Sequence, residues 1–312
     1  MDEVRVWDTA SLKATTKWLH HDKVIWMQLS SDGKTAFTGS ETDLRLWDVA
    51  TSSVRFEKKS GGKTIRFAAI NPDASRMLTV FRDNSATAEL WDAGSGRRVG
   101  KLLHKSPIVY ARFDSAGKKL VTCELAGGRP FHLWDAKTGD ALSKPIASDF
   151  VTESQDAVRA AFGANNKRCV FARQNGFAIA DSTTGEILLT GHLDGNVETD
   201  SVAFAADGGK IALLTRSAVD HERSAVQVFD ARTGKLVCSV ASGTAWCDIS
   251  PDGGRLLCGM TERPAELWDI DKGRKLQSFL GNVAYDAAAN WQANIIAFGV
   301  DDHTSIWRHA RK

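Results

Sequence analysis

DLRLWD, at residues 43–48, decides the fold because it returns along the chain. Close copies are VRVWD at 4–8, AELWD at 88–92, FHLWD at 131–135 and AELWD at 265–269, and weaker ones are FAIAD at 177–181, VQVFD at 226–230 and TSIW at 304–307. The aromatic position falls at 7, 47, 91, 134, 180, 229, 268 and 307, with steps of 40, 44, 43, 46, 49, 39 and 39 residues. A period in this range dictates the architecture. Outward from each copy the same parts recur. A turn carrying Thr or Ser and Gly follows (DAGSG, DAKTG, DSTTG, DARTG, DIDKG), then an alternating run, and then a second run ending at a corner such as SSDGK at 30–34 or SPDGG at 250–254. No segment sustains a 3.6-residue period. Short alternating runs between Gly, Asn, Asp and Pro predict four antiparallel strands per period.

The repeated motif resembles the WD-repeat β-propeller family over essentially the whole chain, best in MQLSSDGKTAFTGSETDLRLWD at 27–48. The resemblance implies four-stranded blades, their strands a to d running outward from a central channel, with the WD pair ending strand c. Strands a are expected near 24–29, 65–70, 108–113, 157–162, 200–204, 244–249 and 283–288. Strands b are expected near 34–39, 76–80, 118–123, 167–172, 210–215, 255–259 and 294–299, and strands d start near 12, 53, 97, 140, 186, 235 and 275. There are eight candidate c strands for seven of every other kind. The expected fold is therefore all-β: a seven-bladed propeller over 1–312, one domain, closed by pairing of N- and C-terminal strands, which removes exposed sheet edges. Either 2–7 or 303–308 completes the closing blade, and the other is expected to be displaced. The start in mid-blade reads as a fragment of a longer protein, against a natural short chain with a redundant strand.

The net charge of +2 over 312 residues does not support a nucleic-acid surface, which would normally show clustered Lys and Arg. The 10 Trp residues sit mostly at repeat positions, where packing explains them first. Cys123, Cys169, Cys238, Cys247 and Cys258 form no CxxC and fall in predicted strands, so they read as reduced core thiols. A Cys247–Cys258 bridge across neighbouring strands is the alternative. No signal peptide or transmembrane run is visible, and the expected address is the cytoplasm.

The family resemblance implies a buried hydrogen-bonded set in each blade. His21, Thr38, Asp43 and Trp47 match it by position, and later periods keep parts of it: Thr79, Trp91 and Asp83; His104, Thr122 and Trp134; Thr215 with Phe229 in place of Trp. A buried indole N–H and imidazole need partners, so the set reads as structural and not as a hydrolytic triad. Aligning the strand-a starts places Trp26, Phe67, Tyr110, Arg159, Ser201, Trp246 and Asp286 in one register, and Ile25, Arg66, Val109, Val158, Asp200, Ala245 and Tyr285 in the one before. These aromatics either fill gaps between blades or crown the channel mouth as anchors for a partner. On the second reading the partner-binding residues are Trp26, Arg66, Tyr110, Arg159, Asp200, Trp246 and Tyr285, since Trp, Tyr and Arg dominate binding hot spots. The b–c loops add charge to the same face: Arg82, Asp83, Glu124, Arg129, Asp220, His221, Glu222, Arg223, Glu262 and Arg263.

GSGRRVG at 94–100 lies in a hairpin turn with no helix after it, so it does not read as a phosphate loop. There is no HExxH, GxSxG, Walker or EF-hand motif. The chain is therefore expected to be a non-enzymatic, monomeric scaffold that binds a protein or peptide through its top face. No catalytic residue, metal or cofactor is assigned, and neither nucleic acid nor membrane is an expected partner. The alternatives are a sensor propeller attached to a signalling enzyme such as a kinase, or an enzyme with its site in the channel.

Overall fold

The computed structural model describes residues 2–8, 13–20, 23–83, 85–125, 130–146, 159–163, 166–193, 197–220, 223–241, 243–260, 264–279, 286–290, 295–300 and 303–308. Every regular element among them is a strand, and no helix is long and apolar enough to cross a membrane. The chain divides into two compact units, Met1–Ala147 with Thr183–Gly185, and Ser148–Ser182 with Glu186–Lys312.

In the first unit, Asp2–Asp8 pairs with Lys13–His20 as a two-stranded sheet. The first four-stranded sheet is Trp26–Leu29, Thr35–Gly39, Asp43–Asp48 and Val54–Lys59. The second is Ile65–Ile70, Arg76–Phe81, Thr87–Asp92 and Arg98–Leu103. The third has three strands, Ile108–Phe113, Lys119–Glu124 and Phe131–Asp135. Its outer strand, expected from about 140, is reduced to two bridges, Phe131 to Ile146 and Trp134 to Ala141. Pro145 lies inside that segment and has no N–H to give a ladder.

The second unit holds three four-stranded sheets. The fourth sheet is Arg159–Phe162, Arg168–Arg173, Gly176–Asp181 and Ile187–His192; the fifth is Val197–Phe204, Lys210–Ser217, Ser224–Asp230 and Leu236–Ala241. The sixth is Thr244–Ile249, Arg255–Met260, Glu266–Asp269 and Arg274–Ser278. Three further strands, Asp286–Asn290, Ile295–Val300 and His303–Arg308, make a last sheet. Each sheet is an antiparallel meander of strands consecutive in sequence, because the connections are too short for anything else.

Both extra copies of the repeat are strands, in separate sheets, and the expected pairing of N- and C-terminal strands is not present among the described residues. Residues 303–308 pair with 295–300 as a third strand. Residues 2–8 pair with 13–20 through a register slip between Val6 and Trp7. The same slip falls between Leu46 and Trp47, Val228 and Phe229, and Leu267 and Trp268, so residues 2–20 have the form of strands c and d. A strand with any free partner is held in a ladder, since its backbone groups otherwise lack acceptors.

The burial of each strand follows its place. The second strand of the third sheet, Lys119–Glu124, is buried from Leu120 onward on both faces, and Thr35–Gly39 is buried throughout. The fourth strands alternate toward solvent, as Val54–Lys59 does. The middle strands are therefore near-continuous apolar runs, packed against neighbouring sheets on both sides. Within the first unit, Phe37, Leu44 and Leu46 meet Ile65, Ala68 and Met77, while Leu78, Leu90 and Leu102 meet Ile108, Phe113 and Leu120. Within the second, Val170, Phe177 and Ile179 meet Val202, Ile211 and Leu213, and Leu214, Val226 and Val228 meet Ile249, Leu256 and Cys258. Each such side chain contributes about 1.5–3 kcal/mol on full burial.

Candidate partner-binding surface

Two carboxylate-capped turns repeat through the sheets and fix where the other loops go. The Asp of the WD pair caps the turn after it. Asp48 Oδ1 accepts from the Thr51 amide and hydroxyl at 2.9 Å, and Asp92 Oδ1 accepts from both groups of Ser95 at 2.8 Å. Asp230 does the same for the amides of Arg232 and Thr233. These hydrogen bonds hold the carboxyls of Asp48, Asp92 and Asp230 below the usual carboxylate range. They also fill the 94–100 turn with an internal acid. At the opposite corner, the Ser30 hydroxyl donates to Asp32 at 2.7 Å and the Ser250 hydroxyl to Asp252 at 2.6 Å.

The buried hydroxyl set is present in the first three sheets. Trp47 Nε1 donates to Thr38 Oγ1 at 2.7 Å, Trp91 to Thr79 at 3.0 Å, and Trp134 to Thr122 at 2.8 Å. His21 lies outside the described residues. Asp43 bonds the Ser40 hydroxyl at 2.6 Å and Arg45 at 2.9 Å. Asp83 is not in the set: it is half-exposed and meets Lys63 at 3.2 Å. Thr215 is not in it either. Its register is two residues past that of Thr122, and its hydroxyl donates to the carbonyl of Ala225. In the sixth sheet Cys258 takes the Thr place, and Trp268 Nε1 turns to Glu266 at 3.1 Å. All five cysteines are free thiols.

The third sheet carries the fullest version, with one member that the sequence reading misplaced, Glu124, and one that it did not assign, His132. His104 Nδ1 lies 3.0 Å from the Leu102 carbonyl and so carries the proton. Nε2 then accepts from Thr122 Oγ1 at 2.7 Å, and that oxygen accepts from Trp134. Burial, aided by nearby His132, pulls the His104 pKa down to about 4. Glu124 was expected as loop charge, yet it ends a buried strand and is 3% exposed. One oxygen accepts from His132 Nε2 at 2.7 Å, and the other accepts the Lys105 and Ser106 amides, both at 2.9 Å. Burial raises its pKa, but these bonds outweigh that and leave it lowered. In FHLWD, positions 132 and 134 share one face of a strand, but nothing local places Glu124 beside them.

The aligned strand-a register is a single structural position. Trp26, Phe67, Tyr110, Arg159, Ser201 and Trp246 pair with Gly39, Val80, Cys123, Ala172, Leu214 and Gly259, which are equivalent places on the second strand of each sheet. The register before it is a β-bulge. Arg66, Val109, Asp200 and Ala245 are each the extra residue between two consecutive rungs. A bulge bends the strand and re-aims its side chains.

In the first unit, Trp26 is half-buried and packs on the core that includes Phe37 and Ile65. It helps line a cleft of about 430 Å³ with Phe67 and Phe113. Ile25, Met27 and Leu29 are 47%, 64% and 52% exposed, so the strand presents an apolar row beside that cleft. Arg66 is exposed, and Tyr110 is half-buried. In the second unit, Arg159 Nε donates to the Asp200 carbonyl at 2.6 Å, and the Asp200 carboxylate meets Arg216 at 2.8 Å. Trp246 lies flat over Gly259, where a methyl would fall inside the indole. Tyr285 lies outside the described residues, as do Arg129, His221, Glu222, Glu262 and Arg263. Of the other loop charges, Arg82 meets Glu41 at 2.7 Å and Arg223 meets Asp220 at 2.9 Å.

No protein-family model and no curated protein matches the chain. Among solved structures it is similar to the computationally designed Ika8 protein, with a TM-score of 0.71 and 18% identity over 93% of this chain and 84% of that one. At that identity the likeness is one of fold alone.

Proposed function

We propose that the repeated sheets are blades of a WD-repeat β-propeller of seven blades, closed by the terminal strands, and that the chain is a cytoplasmic, non-enzymatic interaction module. Its partner is a protein or peptide bound at the face where the first strands begin. One observation carries the reading: the bulge at the same place in four sheets, directly before a half-buried aromatic or Ser. The same distortion directly before partly exposed Phe67, Tyr110 and Trp246, with Trp26 at the equivalent register, supplies rigid anchors that need little ordering on binding. Arg66 and the Arg159–Asp200–Arg216 cluster add charge that would govern register and on-rate more than affinity.

The test is a pull-down from native lysate with the wild-type chain, then with Tyr110→Ala and Arg66→Glu. Loss of the same captured partner in both variants, with an unchanged melting temperature, is the expected result. Retention of every partner in both variants refutes the face.

A further inference from the structure

The loop at 60–64, Ser-Gly-Gly-Lys-Thr, leads into the strand Ile65–Ile70, and residues 104–107 are its counterpart in the next repeat. Three contacts match the two loops. The Ser60 amide donates to the Thr42 carbonyl as the His104 amide does to Ala86. The Arg82 amide donates to the Thr64 carbonyl as the Leu125 amide does to Pro107. Ile65 pairs with Phe81 as Ile108 pairs with Glu124.

The 104–107 loop already holds an anion, since a Glu124 oxygen accepts the Lys105 amide, the Ser106 amide and the Ser106 hydroxyl at 2.9, 2.9 and 3.2 Å. At the place of Glu124 the second sheet has Phe81. Counting back from Ile65 sets Gly62 and Lys63 at the positions of Lys105 and Ser106. Among the described residues, no group of the protein accepts the amides of Gly61, Gly62 or Lys63. Gly61 and Gly62 have φ of +68° and +85°, a turn of successive left-handed residues that side chains disfavour. Amides presented in succession by such a turn make an anion cradle.

The cationic groups fit the same reading. A cleft of about 660 Å³ opens on the loop, its wall including Lys59, Lys63 and Arg45 with the hydroxyls of Ser60 and Thr64. Asp43 and Glu57 also lie in that wall, but both are held by Arg45, at 2.9 and 3.0 Å. Lys63 meets Asp83 at 3.2 Å in a pair open to solvent, a contact worth little that an incoming anion displaces. Lys59 is exposed and has no ion pair among the described residues.

We propose that the 60–64 loop binds a phosphate-class oxyanion, free or as the phosphoryl group of a small molecule. The Gly62 and Lys63 amides would do for it what the Lys105 and Ser106 amides do for Glu124, and Lys59 and Lys63 supply the charge. The cleft exceeds what one carboxylate needs, and amides, hydroxyls and lysines together match the several acceptor oxygens of a phosphoryl group. The loop leads into a first strand and so lies on the side proposed for the partner, but the phosphate site does not depend on that reading.

The experiment is a titration of the full chain with inorganic phosphate, O-phosphoserine and, at matched ionic strength, sodium chloride, read by amide NMR shifts. Saturable shifts centred on Gly61, Gly62 and Lys63 with phosphate or phosphoserine, and none with chloride, are expected; the tighter of the two identifies the source. The double variant Lys59→Gln/Lys63→Gln should weaken binding about ten-fold. Phe81→Glu should abolish it by placing an internal carboxylate on the loop. Shifts that chloride reproduces, or phosphate binding unchanged in the lysine double variant, overturn the proposal. The lysine variant decides the matter should Phe81→Glu fail to fold.

Discussion

Thr122→Val keeps the shape of a fully buried side chain and removes one oxygen. That oxygen has two duties: it accepts from Trp134 Nε1 at 2.8 Å and donates to His104 Nε2 at 2.7 Å. His104 Nδ1 is committed to the Leu102 carbonyl, so the ring cannot turn to a new partner without losing that bond. The variant therefore strands a buried donor and a part-buried acceptor together. Each orphaned buried group costs about 1–3 kcal/mol, and we expect a total loss of about 3 kcal/mol. Thr79→Val is the internal control. It strands only Trp91 Nε1, on an indole that is partly open to water, and should cost about 1 kcal/mol. The assay is guanidinium unfolding at neutral pH followed by tryptophan fluorescence, comparing midpoints where the slopes agree. Equal losses for the two variants, or a loss under about 1 kcal/mol for Thr122→Val, would refute the relay from Trp134 through Thr122 to His104.

Acid should weaken the third sheet in a defined window. His104 has a folded pKa of about 4 against 6.5 for the free side chain, so between these values the unfolded chain binds a proton that the folded one refuses. Stability therefore falls as pH drops from 6.5 and levels off for this group below about 4, by up to about 3 kcal/mol at 1.36 kcal/mol per unit. His104→Gln should flatten the profile over that range. Glu124, with a lowered pKa, adds a further loss at lower pH as its carboxylate is protonated. Ala74 has a φ of +55° where Gly33, Gly117, Gly208 and Gly253 stand in four other corners, so Ala74→Gly should stabilise by about 0.5–1 kcal/mol in the same unfolding assay. Gly259→Ala should expel the Trp246 indole and cost about 1–3 kcal/mol, measured as a lower melting temperature; an unchanged one would mean that the indole does not lie on that glycine.

How far the sequence reached can be argued from single residues. The Trp–Thr bond was legible for Thr38, Thr79 and Thr122 because strand spacing fixes which positions face each other. Thr215 was misassigned because the fifth sheet runs two residues longer on its second strand, and a hydroxyl at the wrong rung bonds a backbone carbonyl instead. Asp83 was misassigned because a carboxylate near the right turn can point either way, and here Lys63 draws it out. Glu124 was taken for surface charge because an acidic residue before a glycine pair reads as loop. Only the fold shows the His132 ring and the 105–106 amides that make its burial tolerable.

The period, the four-strand unit, the capped turns and the register of Trp26 to Trp246 are properties of the sequence alone. Each is set by local spacing, by the two-residue alternation of a strand, or by an Asp that bonds its own turn. The fates of the two spare copies at 2–8 and 303–308, the bulge at Arg66, Val109, Asp200 and Ala245, and the carboxylate inside the third sheet were decided by tertiary structure. Those depend on which strand lies alongside, and on how two packed sheets satisfy the polar groups caught between them. Such partners are many residues apart in the chain, and their meeting is fixed by packing and not by any local pattern.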